Sequence, residues 1–100
     1  MNEPKVVKLK AEICLSCDFP TRKLNFHKLC NELRKRGYEV EEEVKDMMDS
    51  RGEQEIYVEH DGIWYKVFTS IDPTAKEAIL DNTLDLRLHD VINKIENKIK

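Results

Sequence analysis

The stretch Val7-Lys8-Leu9-Lys10-Ala11-Glu12-Ile13-Cys14-Leu15-Ser16-Cys17 decides the reading of this chain. Val7, Leu9, Ala11 and Ile13 alternate with Lys8, Lys10 and Glu12, the two-residue period of a strand with one buried face. That strand runs straight into a Cys-x-x-Cys pair. Downstream, from Thr21 to Arg36, Phe26, Leu29, Cys30 and Leu33 recur at helical spacing, and Gly37 supplies a left-handed stop behind Arg34, Lys35 and Arg36. The spacing predicts a helix of about four turns immediately after the cysteines.

Tyr38, Val40 and Val44 alternate with Glu39, Glu41 and Glu43 and predict a second strand, short or frayed near Glu42, which falls on the inward face. Lys45 to Glu53 reads as a loop because it gathers Asp46, Asp49, Ser50, Arg51 and Gly52. Gln54 to His60 and Ile63 to Ser70 are rich in β-branched and aromatic residues and flank Asp61-Gly62, a pair suited to a two-residue type I′ turn. Asp72-Pro73 opens a short helix to Leu80. Leu84, Leu88, Val91, Ile92, Ile95 and Ile99 then form the apolar stripe of a closing amphipathic helix. The order β-α-β, hairpin, α predicts an α/β fold with a four-stranded mixed sheet packed by helices, in one domain over residues 1–100.

Composition narrows the function classes. The 100 residues are 40% hydrophobic and 37% charged, with 17 basic against 20 acidic side chains and a net charge of -3. Such a chain folds, with a heavily charged surface, but lacks the basic excess that a phosphate backbone demands, so nucleic acid is not an expected partner. No segment has the apolar length of a signal peptide or of a membrane span, and a cytoplasmic protein with no membrane partner is the expectation. In a reducing compartment the odd count of three cysteines, two of them Cys14 and Cys17, points to redox chemistry or metal binding rather than a disulfide framework.

Cys14 and Cys17 stand where a strand ends and a helix begins. Unpaired N-H groups at a helix start stabilise a thiolate, and a cysteine three residues away can resolve a mixed disulfide. With this motif in this order, the chain resembles the selenoprotein W-like (Rdx) family of small thioredoxin-like proteins. The matching pieces are Ile13-Cys14-Leu15-Ser16-Cys17, the helix ending in Arg36-Gly37, and the hairpin from Glu55 to Phe68. The resemblance implies a thioredoxin-like fold and a small thiol-disulfide oxidoreductase, with Cys14 and Cys17 catalytic and Cys17 in the position that the family gives to selenocysteine. In thioredoxins proper the first cysteine attacks, so the choice of nucleophile stays open. Where ordinary thioredoxins set a cis-proline facing the cysteines, this chain reads Met47-Met48-Asp49-Ser50-Arg51-Gly52, without proline. Protein or small-molecule thiols and disulfides are the expected partners, and no organic cofactor is required.

Two other classes compete. Cys14, Cys17, His27 and Cys30 spell C-x2-C-x9-H-x2-C, four zinc-type ligands. A helix over Thr21 to Arg36 places Cys30 roughly 20 Å from Cys17 by its rise, which one tetrahedral site cannot span. The other class is a non-catalytic interaction domain that uses the hairpin or the last helix. Cys30, on the apolar stripe, is expected as a buried structural thiol, and His27 as a partly exposed helix residue. Lys23 and Arg22 lie early enough in the helix to favour a thiolate, although surface solvation accounts for both. His60 and His89 carry no assigned role. Of Tyr57, Trp64, Tyr65 and Phe68, alternation lets only part join the core, which leaves aromatics on the other face.

Overall fold

A computed structural model of the chain describes residues 5–15, 19–48, 54–70, 84 and 87–99. The elements are β1 (Val6–Cys14), α1 (Phe19–Lys35), β2 (Glu39–Met47), β3 (Gln54–His60), β4 (Ile63–Ser70) and α2 (Leu88–Ile99). The four strands form one mixed sheet in the order β2-β1-β3-β4. β1 and β2 are parallel, with Val7 opposite Val40 and Ala11 opposite Val44, while β3 runs antiparallel to both β1 and β4.

β1 carries its alternation into burial. Val7, Leu9, Ala11 and Ile13 are sealed in the core, and Ile56 and Val58 extend the same face across β3. Phe26, Leu29, Cys30 and Leu33 of α1 and Val91, Ile92, Ile95 and Ile99 of α2 join them in one continuous cluster, so both helices cover a single face of the sheet. α1 lies against β1 and β2, and α2 against β3 and β4. The opposite face holds Lys8, Lys10, Tyr57, Trp64 and Lys66. Lys10 Nζ sits 4.6 Å from the Trp64 ring and 5.3 Å from that of Tyr57.

The turns follow from a few residues. At the end of α1, Gly37 adopts φ +97°, its N-H donates to Arg34 O at 3.0 Å, and Tyr38 N-H reaches Leu33 O at 3.2 Å, which closes a Schellman cap. Asp61 (φ 54°) and Gly62 (φ 82°) are both left-handed, the requirement of the expected type I′ turn. A bulge between Ile56 and Tyr57 adds one residue to β4, which lets the consecutive Val67 and Phe68 both turn inward.

Three expectations shift. α1 begins at Phe19 rather than Thr21, because Pro20 is compatible with the first turn of a helix. β2 is continuous through Glu42 and extends to Met47, so Lys45 and Asp46 are strand rather than loop: parallel pairing with Glu12 and Ile13 overrides their turn-forming tendency. α2 starts at Leu88, yet Leu84 still enters the core from the preceding turn. The expected helix over Pro73 to Leu80 and the segment 49–53 lie outside the described residues.

Glu96 ties the two helical ends together. It accepts a 2.8 Å hydrogen bond from Tyr38 Oη and pairs with Arg36 at 3.1 Å. Lys98 Nζ lies 4.3 Å from the Tyr65 ring and anchors α2 to β4. Among the described residues no helix is long and apolar enough to cross a membrane.

Candidate functional site

Cys14 is the last residue of β1, opposite Met47 at the end of β2. Cys14 is buried, 4% exposed, although it follows the inward Ile13 directly and is not part of the core cluster. Leu15 N-H donates to Met47 O at 3.1 Å, which fixes the first residue of the turn. Cys17, with Ser16 and Asp18, lies outside the described residues. α1 then starts five residues after Cys14, with its first turn beside this end of the sheet.

Gln54 supports this end from β3. It stands opposite Ile13, is 1% exposed, and its Nε2 donates to the Arg22 carbonyl at 3.3 Å. A buried amide bonded to the first turns of α1 holds the helix start against the strand end that carries Cys14. Nothing in the sequence marked Gln54 beyond its place two residues before the inward Ile56. Lys23 is exposed and Arg22 half-buried.

A second cluster occupies the middle of α1 and β2. Glu42 falls on the inward face as the alternation indicates, and the strand does not fray there. The carboxylate accepts a hydrogen bond from His27 Nδ1 at 2.8 Å and pairs with Arg34 Nη2 at 3.3 Å. Its side chain is 24% exposed against 53% for His27. Burial pushes the Glu42 carboxyl up, but hydrogen bonds from His27 and Cys30 and the Arg34 charge outweigh burial and hold it below the usual range. Cys30 is fully buried, as expected of a structural thiol; burial first, then the Glu42 charge and hydrogen bond, drive its pKa far upward, and it stays protonated at neutral pH.

Cys14 and the pair His27–Cys30 therefore occupy different levels of the fold. Cys14 is level with Met47, whereas Glu42, the partner of His27 and Cys30, is level with Leu9, five residues back along β1 and roughly 16 Å away. Among the described residues, no three His, Cys, Asp or Glu side chains gather as a metal site.

Between α1 and β2 lies a groove of about 400 Å³ lined by Pro20, Lys23, Leu24, Phe26, His27, Glu42 and Val44. It extends from the first turn of α1 to the His27–Glu42 pair. Leu24 is half exposed, and no periodicity in the sequence marks it as core or site. His60 contacts Asp61 at the hairpin turn, and His89 lies exposed on α2. The chain matches no protein-family model, no curated protein and no solved structure.

Proposed function

We propose that this chain is a small thiol-disulfide oxidoreductase on a thioredoxin-like scaffold, using Cys14 and Cys17. The observation that carries this reading is the position of Cys14, at the end of a central strand and five residues ahead of the helix that packs on that strand. The order strand, helix, strand, hairpin, helix, with β1 and β2 parallel and a β3–β4 hairpin, agrees with what the selenoprotein W-like resemblance implies. The start of α1, two residues beyond Cys17, puts the motif at a helix N-terminus, where the helix end favours a thiolate.

The burial of Cys14 supports one division of roles. A residue that is 4% exposed is poorly placed to meet a partner's disulfide in line, which favours Cys17 as the attacking thiol and Cys14 as the resolving one. The Cys17 thiolate attacks one sulfur of R-S-S-R′ and releases R′-S⁻, which takes up a proton. Cys14 then loses its proton and attacks the Cys17 sulfur, forming the internal disulfide and releasing R-S⁻. The partner gains the two electrons that the dithiol loses. An external thiol or a reductase returns the protein to its reduced form.

Incubation of single variants with glutathione disulfide, followed by acid quench and mass analysis, tests the assignment. Cys14→Ser accumulates a glutathione adduct at Cys17, and Cys17→Ser leaves Cys14 unmodified. An adduct on Cys14 alone reverses the roles; no adduct in either variant refutes the reading.

A further inference from the structure

We propose that the open edge of β2 and the groove beside it dock an extended segment of the disulfide-bearing partner, a strand that alternates apolar and basic residues. The proposal rests on the oxidoreductase reading only for the identity of that partner as a disulfide substrate.

β2 is an edge strand, and among the described residues no strand pairs with its outer side. Arg34 donates to the Val40 carbonyl at 2.9 Å, which leaves residues 41–47 as the accessible stretch. On the helix-covered face, a strand added to this edge meets the groove, where Leu24 is 54% exposed and Val44 half-buried. An apolar side chain fits there. On the other face the same strand lies beside Glu41 and Glu43, with Lys45 after them.

Those glutamates make no ion pair among the described residues, although lysines stand next to them. Lys8 is opposite Glu41 in the sheet but its Nζ turns to Glu59 at 4.0 Å; Lys10 is opposite Glu43 but lies over Trp64 and Tyr57. Within the accessible stretch, Glu41 and Glu43 thus stand without an ion pair among the described residues, with Lys45 next on the same face. Alternate lysines or arginines on the docked strand complement Glu41 and Glu43. Strand addition of this kind draws affinity from the main chain and specificity from alternate side chains.

The geometry also delivers the docked chain to the chemistry. Val44 pairs with Ala11 and Met47 with Cys14, so a strand laid along residues 44–47 runs about 10 Å toward the cysteine end of β1.

Fluorescence anisotropy with three labelled octapeptides tests this: alternating Lys-Val, alternating Glu-Val, and a block of four lysines followed by four valines. The alternating Lys-Val peptide binds, and the other two bind at least about tenfold more weakly. The E41Q/E43Q double variant and Leu24→Ser, all at exposed positions, each weaken that binding roughly five- to tenfold. Equal binding of the block peptide, or unchanged affinity in both variants, overturns the proposal. Reduction of glutathione disulfide, measured in parallel, stays unaltered in these variants. If the wild type binds the peptide but reduces no disulfide, the redox reading falls and the docking surface stands.

Discussion

His27 Nδ1 and Glu42 Oε1 lie 2.8 Å apart, joining the outer side of α1 to the inward face of an edge strand, while the second Glu42 oxygen pairs with Arg34. A glutamate on an inward position is tolerated because one of its oxygens accepts a hydrogen bond from His27, the other pairs with Arg34, and the side chain is partly solvated. Its carboxyl is held below the ordinary value of 4.5, so the folded state favours the ionised form. The stability this contributes is present above the unfolded value and disappears as pH falls from there through the depressed native value. Glu42→Gln is therefore expected to cost about 1 kcal/mol at pH 7 and much less at pH 3. Urea unfolding at the two pH values checks this; an equal loss at both contradicts it.

Cys30 is predicted to be chemically silent in the native protein. Its thiol is fully buried and its pKa is raised by that burial, so iodoacetamide at pH 8 should label it only after guanidinium is added. Cys30→Ala should lower stability by about 1–2 kcal/mol through loss of packing and leave disulfide exchange at Cys14 and Cys17 unchanged. Native labelling mapped to Cys30 by peptide mass would contradict the packing described.

The strand that delivers Cys14 was legible because Val7, Leu9, Ala11 and Ile13 alternate without error, and the hairpin because Asp61-Gly62 admits so few conformations. Lys45 and Asp46 misled, since their turn-forming character is local while the pairing with Glu12 and Ile13 that keeps them extended is not. Glu42 could be seen as inward but not as paired: His27 is fifteen residues away, and only the packing of α1 on β2 sets the two side chains together. Gln54 was hidden for the same reason, because its partner is a backbone carbonyl of Arg22 that no side-chain pattern reveals. The groove depends on the gap between two elements, a quantity that periodicity does not encode.

Gln54→Leu keeps the volume of the side chain but removes the donor to Arg22 O and leaves that carbonyl without it. The expected cost is about 1 kcal/mol, concentrated at the start of α1. Hydrogen exchange should accelerate for amides of residues 22–26 more than for those of residues 29–33. Uniform acceleration along the helix would mean that Gln54 serves global stability rather than the seat of the helix start.

The most direct test of the central claim is a glutathione redox titration of Cys30→Ala, which retains only Cys14 and Cys17, with each point quenched by acid, alkylated and weighed by intact mass. Two species that interconvert reversibly are expected, the doubly alkylated dithiol and an unalkylated form joined by a Cys14–Cys17 disulfide. A dithiol that stays reduced across the whole glutathione range, or one that resists alkylation because it holds a stoichiometric zinc ion, would contradict that claim.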